Sequence, residues 1–267
     1  MKKWIIVTLL FCIVVGYLAD RLYSYYAPPI EHKPYSIPPK TPDDTLRIAY
    51  IGDSWAFMHK EHDCLVPKII GDSLHMPIKV HSYGICGQTS KELYESLNNS
   101  TDLKQFLQKR RYDYCFISIG INDTYKKMSI EYYQHSMDNI LRFLIANNIY
   151  PIILEIPDYD IIKAYDRQKL SRKILRKISM YINKTPINCK QIFRNALDEM
   201  VLKKNYINKV SIIRYKTWNK NGNKDLHTLY LNDGMHLNEK GYAKLDSCII
   251  EMCKTLQIKK EMEKIEN

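Results

Sequence analysis

From residue 46 onward, short apolar runs alternate with longer stretches in which apolar residues recur at helical spacing. The runs at 48–51, 78–83, 114–119, 152–156 and 210–213 are hydrophobic almost without interruption, the pattern of strands covered on both faces. Between the third and fourth runs, Tyr133, Met137, Ile140, Leu141, Leu144 and Ile145 fall on one helical stripe. After the fifth, Asn238 stands as an N-cap ahead of a helix whose stripe is Tyr242, Leu245, Ile249, Met252, Cys253 and Leu256. Residues 160–208 read as helical, and 258–267 as a charged, frayed tail. Alternating strands and helices predict an α/β fold, a three-layer α/β/α sandwich around a doubly wound parallel sheet of five strands.

Two attachments precede this domain, which is expected to occupy 46–257. Residues 1–26 carry Lys2 and Lys3, then an uncharged apolar stretch from Trp4 to Ala19, then Asp20 and Arg21. Trp4 at one end and Tyr23, Tyr25 and Tyr26 at the other flank the stretch as aromatic belts flank a membrane segment. It reads as an uncleaved signal anchor, with a cleaved signal peptide second, because neither Val14/Gly16 nor Tyr17/Ala19 offers two small residues for cleavage. On both readings the lysine pair stays cytoplasmic and the remaining chain is exported, membrane-anchored or secreted. Residues 27–45 hold six of the eleven prolines and read as an extended spacer.

Composition adds three constraints. A chain of 267 residues, 45% hydrophobic, is long enough for one sizeable core. Its net charge of +11 suits anionic surroundings such as headgroups or acidic envelope polymers, and it carries no nucleic-acid-binding motif. The densest basic stretch, Arg167, Lys169, Arg172, Lys173, Arg176 and Lys177, reads as the solvated face of a helix. Among the seven cysteines, Cys115 lies in an apolar run as a buried thiol, and Cys248 and Cys253 sit on one helix without facing each other. Cys64 with Cys86 is the pairing left open to a disulfide.

Strand ends in such sheets carry the chemistry. Gly52-Asp53-Ser54-Trp55 follows the first run, Gly84-Ile85-Cys86-Gly87-Gln88-Thr89 the second, and Gly120-Ile121-Asn122-Asp123 the third. Ser54 is a candidate nucleophile, and Trp55 either walls an acyl pocket or packs. Asp233-Gly234-Met235-His236 precedes the last helix, and an Asp three residues ahead of a His on one loop can hold the imidazole by Nδ1 and leave Nε2 facing a serine. Asp225-Leu226-His227 offers a decoy at shorter spacing. Gly87 N–H and the uncharged Asn122 amide are candidate oxyanion donors. Acyl transfer by serine needs a nucleophile, a base, an orienter of that base and such donors, and the chain supplies all four.

These four blocks, in this order, resemble those of the SGNH hydrolases, also called the GDSL esterase/lipase family. The resemblance implies a flavodoxin-like fold with Ser54 as nucleophile, His236 as base and Asp233 as its partner. It also implies an oxyanion hole from Ser54 N–H, Gly87 N–H and the Asn122 side chain, with no metal or organic cofactor. One departure is His81-Ser82-Tyr83 where the family often has Asn in the strand before the second-block glycine. The expected activity is hydrolysis of an ester, an O-acyl carbohydrate or small lipid ester, through an acyl-enzyme. An O-acetyltransferase using the same residues, and a glycan-binding module without turnover, are the alternatives.

Overall fold

The computed structural model describes residues 2–26, 35–38, 45–61, 77–219 and 221–266. Five strands, β1 (Leu46–Gly52), β2 (Ile78–Gly84), β3 (Tyr114–Ser118), β4 (Tyr150–Leu154) and β5 (Ser211–Ile213), form one sheet in the order β2-β1-β3-β4-β5. Every pairing is parallel, so each connection must cross over on a face of the sheet. The helices of the domain are α2 (Ser54–Glu61), α3 (Ser90–Asn99), α4 (Thr101–Arg110), α5 (Ile121–Lys126), α6 (Ile130–Ala146), α7 (Ile161–Asp166), α8 (Leu170–Asn183), α9 (Lys190–Lys203), α10 (Tyr215–Trp218), α11 (Asn223–Thr228) and α12 (Glu239–Glu266).

Sheet residues are buried on both sides, Ile48 to Ile51 and Cys115 to Ile117 being almost fully covered. On one face Tyr50 meets the rings of Phe116 and of His59 from α2 edge-on, and α12 packs on the same layer through a buried bond from His59 Nε2 to Asp246 (2.7 Å). His59 Nδ1 lies 3.2 Å from Ser82 Oγ, tying α2 to β2 as well. The other layer is built by α3, α6 and α9, where Tyr133 of α6 stacks edge-on against Phe193 of α9. The α6 stripe is buried at Tyr133, Met137, Ile140, Leu141 and Leu144, and Ser129 caps the helix by accepting the Tyr132 N–H. Asn238 Oδ1 accepts the Gly241 N–H (3.0 Å), the cap expected for the last helix.

Three expectations shift. The fourth strand is Tyr150–Leu154 rather than 152–156: its partner β5 ends at Ile213, to whose carbonyl Glu155 N–H donates (3.0 Å), and the Ile156 carbonyl accepts from Arg194 Nε (2.8 Å). The tail is helical, α12 continuing to Glu266. Part of the supposed spacer packs on the domain: Ile37 is buried, its N–H donates to Asn147 Oδ1, and Tyr35 stacks on Phe143 with ring centroids 4.7 Å apart. The remaining spacer and the Cys64 side of the proposed disulfide lie outside the described residues. At the amino terminus α1 (Lys2–Tyr26) is one continuous helix with Trp4 to Leu18 exposed at every large apolar position. Among the described residues no helix is long and apolar enough to cross a membrane.

Register decides where the chemistry sits. Gly52 pairs with Gly84 on one side and with Ser118 on the other, so three strands end level. With this strand order the connections from β1 and β3 leave on opposite sides, which opens a crevice between their carboxyl ends. Gly84 makes that geometry possible: a Cβ there would lie 2.3 Å from Phe57 N and 2.4 Å from Asp53 O, the two ends of the first hydrogen bond of α2. The helix that begins with Ser54 therefore rests directly on the end of β2. Gly84→Ala is expected to lower unfolding stability by about 2–3 kcal/mol, as overpacking against backbone does. Urea denaturation of the variant beside the native chain measures it, and an unchanged midpoint would show that α2 does not depend on this contact.

Candidate active site

Ser54 is the first residue of α2, immediately after the bend at Asp53. Asp53 N–H donates to the Ser118 carbonyl (3.1 Å) and the Gly52 carbonyl accepts from Ile85 N–H (3.2 Å), so the turn is fastened to β3 and to the start of the second-block loop. As the opening residue of a helix, Ser54 has an N–H outside the intrahelical ladder.

The second half of the site comes from the loop before α12. Tyr230 and Leu237 form an antiparallel bridge, and Leu231 N–H donates to the His236 carbonyl (2.7 Å), closing 231–236 into a compact loop. Gly234 turns it at φ +72°, and a Cβ there would meet Asp160 Cβ at 2.9 Å. Asp160 N–H in turn donates to the Gly234 carbonyl (2.8 Å), so the chain after β4 supports the loop. Within it, Asp233 Oδ1 accepts the N–H groups of Met235 (2.8 Å) and His236 (3.0 Å), while Oδ2 lies 2.5 Å from His236 Nδ1. Burial alone would raise the Asp233 pKa, but these hydrogen bonds, that to the imidazole foremost, hold it below the usual carboxylate value.

The two halves meet: His236 Nε2 is 2.9 Å from Ser54 Oγ. An ionised carboxylate fixing Nδ1–H leaves Nε2 as acceptor toward the hydroxyl, an arrangement able to take the serine proton. The structure thus brings Ser54 together with His236, 182 positions on, and its loop neighbour Asp233. The decoy pair is not part of it: Asp225 is buried and accepts from Asn221 at the start of α11, and His227 is exposed.

Of the two further candidate donors, Gly87 sits in the turn after β2 at φ +79° with open space where a Cβ would be, a conformation natural to glycine. Asn122, in the first turn of α5, is buried, and its Nδ2 donates to Asp53 Oδ2 (3.0 Å). An amide nitrogen carries two hydrogens, so that bond fixes the side chain and leaves a second donor.

Sequence reasoning did not anticipate the role of Asp53. It is fully buried, accepts Trp55 N–H at Oδ1 (3.0 Å) and Asn122 at Oδ2, and so joins the nucleophile turn to the third block. Burial, with the nearby Asp123 charge, pushes its pKa up to about 7 against the pull of the hydrogen bonds from Trp55 and Asn122. Asp123, pushed by burial to about 6, accepts both the N–H (2.9 Å) and the hydroxyl (2.5 Å) of Ser90. One signal was present in the sequence: two acids adjoin proposed site residues at strand ends, where ordinary turns would leave them in water.

Of the two roles open to Trp55, the structure shows packing. It walls no acyl pocket, being fully buried against Trp218 (5.9 Å between centroids) and Tyr230 (6.2 Å). Its Nε1 donates to the Met235 carbonyl (3.1 Å), so the residue after Ser54 is hydrogen-bonded to the residue before His236. The exposed apolar residues on the site loops are instead Ile85 and Leu231.

Comparison with known proteins agrees with this picture. The GDSL-like Lipase/Acylhydrolase family model matches residues 49–249. Similar solved structures include a lipase/acylhydrolase from Enterococcus faecalis (17% identity, TM-score 0.53, covering 79% of this chain and 96% of that one). A GDSL-like lipase from Bacteroides thetaiotaomicron (15%, 0.52, 88% of its own chain) and the psychrotrophic esterase EstA from Pseudoalteromonas sp. (16%, 0.52, 99%) share the fold, over 79% and 80% of this chain. No curated protein matches the sequence. The expected fold stands, and the chain belongs to the GDSL-like lipase/acylhydrolase family as a serine ester hydrolase of the SGNH type.

Proposed function

We propose that this hydrolase is exported and works through an acyl-enzyme on Ser54, removing O-acyl groups from carbohydrate or small lipid esters. The observation that carries the mechanism is the relay of 2.9 Å from Ser54 Oγ to His236 Nε2 and 2.5 Å from His236 Nδ1 to Asp233. Ser54 Oγ bonds to the ester carbonyl carbon as its proton passes to His236 Nε2. Negative charge gathers on the carbonyl oxygen, where Ser54 N–H, Gly87 N–H and the free hydrogen of the Asn122 amide donate to it. Collapse breaks the bond to the alcohol oxygen, which takes the proton from His236. Water then repeats the sequence with His236 as base, releasing the acid and restoring Ser54. Asp233 stays ionised throughout and offsets the charge of the imidazolium.

Export rests on the lysine pair and apolar helix α1, with the +11 net charge suiting acidic envelope polymers. Exposed Ile85 and Leu231, one on each site loop, suit the apolar part of an acyl group.

With an activated acetate ester the native protein should show a burst of alcohol equal to its concentration. Ser54→Ala should abolish the burst and lower kcat by roughly 10⁴–10⁶. EstA is described as inhibited by monoethylphosphonate, and an alkyl phosphonate should likewise leave a mass adduct on Ser54 here. A folded native chain with neither burst nor adduct would sink the acyl-enzyme.

Asn122→Ala should lower kcat by roughly 10²–10³, as loss of one oxyanion donor does. Steady-state kinetics in which KM alone moves would assign Asn122 to ground-state binding instead.

The buried Asp53 has a folded pKa of about 7, raised from 3.8. Between these values the folded chain keeps a proton that the unfolded chain releases, so this group makes stability fall as pH rises from about 4 to about 7 and level off above. Thermal melts across that range should show a shallower decline in Asp53→Asn than in the native chain. Parallel curves would mean that Asp53 is ionised in the folded protein well below pH 7.

A further inference from the structure

Helix α8 is turned inside out. A surface helix normally lays its apolar stripe on the core and shows water its polar side. Here the stripe of Leu170, Ile174, Ile178, Tyr181 and Ile182 is exposed, Leu170 at 74% and Tyr181 at 87%. The less exposed side carries Leu175 and Met180, half-buried, together with polar groups that make its hydrogen bonds. Ser179 is the buried residue of the helix, Arg176 donates to the Lys126 carbonyl (3.2 Å), and Asn183 donates to the Lys127 carbonyl (2.7 Å). Ile162 on the preceding helix α7 is also exposed.

The edges of this stripe say what covers it. The helix sequence LSRKILRKISMYIN contains no acidic residue. Arg172 and Lys177 are exposed on the helix, Lys169 and Lys184 at its two ends, and Lys173 lies along the stripe with its ammonium over Tyr165 (5.8 Å). An exposed apolar stripe on a helix that carries four cations and no acid of its own, the nearest chain-adjacent acid being Asp166 on α7, matches the interface of an anionic bilayer, where apolar side chains enter the acyl boundary and lysines reach phosphates. A second copy of the same face would set this cationic border against itself. We infer that α8 lies flat on an anionic lipid surface, with its exposed stripe inserted and its basic border on the headgroups. The helix that precedes it, α7, borders Gly234 of the base loop through Lys163, so the docked surface adjoins the site edge of the domain. This inference concerns binding and does not depend on which ester is cleaved.

The test uses the full chain with Tyr181→Trp in a Trp4→Phe background, since the remaining Trp55 and Trp218 are fully buried. Vesicles of brominated phosphatidylcholine, alone or mixed with an equal amount of phosphatidylglycerol, serve as quencher. Fluorescence of the reporter should fall roughly twofold on the anionic vesicles, less on the neutral ones, and recover in high salt. Adding Ile174→Glu and Ile178→Glu should abolish the quenching while the circular dichroism spectrum is kept, whether or not α1 inserts. An unquenched reporter on both vesicles overturns the inference. So does a reporter already shielded without lipid, with sedimentation velocity separating a dimer from coverage by the chain itself.

Discussion

The bond from His236 to Ser54 joins residues 182 positions apart, and the architecture can be understood as what holds its 2.9 Å. A hydroxyl and an imidazole on independent loops would drift out of hydrogen-bond range, and a proton transfer needs them within it. Two devices prevent this. The level ends of β2, β1 and β3 fix the nucleophile turn from below, with Gly84 admitting the backbone of α2 to close contact. The Trp55 indole then reaches across to the Met235 carbonyl, and the Tyr242 hydroxyl donates to the Trp55 carbonyl (3.3 Å). The loop that carries His236 and the helix that begins with Ser54 are thereby one unit. The hydrophobic burial of Trp55 makes that unit rigid, since an indole with no exposed surface has no alternative place to go.

Behind this unit lies a polar layer that is costly to bury. Asp53 and Asp123 are both nearly water-free carboxyls, and each accepts from a distant part of the chain: Asp53 from Asn122 as well as from its own turn through Trp55, Asp123 from Ser90. Unpaired, such groups would cost the fold heavily. Satisfied, they specify one relative placement of α2, α3 and α5, because no other placement answers all their acceptors. The same reasoning applies on the opposite side of α2, where His59 bridges Ser82 and Asp246.

Much of this was legible in the sequence because it depends on period and on local turn chemistry. Continuous apolar runs revealed all five strands, and the short blocks marked Ser54, Asp233 and His236, which the fold joins in one hydrogen-bonded series. Illegible features depend on partners distant in sequence. The end of β4 is set by Arg194, Tyr35 and Ile37 pack because Phe143 and Asn147 are there to receive them, and Asp53 matters because Asn122 lies across the crevice. Helix α8 shows a further limit. Its periodicity reveals that it is two-faced, but the choice of which face turns inward is made by carbonyls of Lys126 and Lys127 seeking donors.

The placement of the base loop has a consequence for the life of the chain. Asp233 and His236 arrive after all five strands, and their loop is propped by Asp160 and Trp55, which are made much earlier. A nascent or prematurely ended polypeptide therefore carries a serine with no base beside it. The contact between Ser54 and His236 forms only once residues 231–236 have been made and have settled against Asp160 and Trp55.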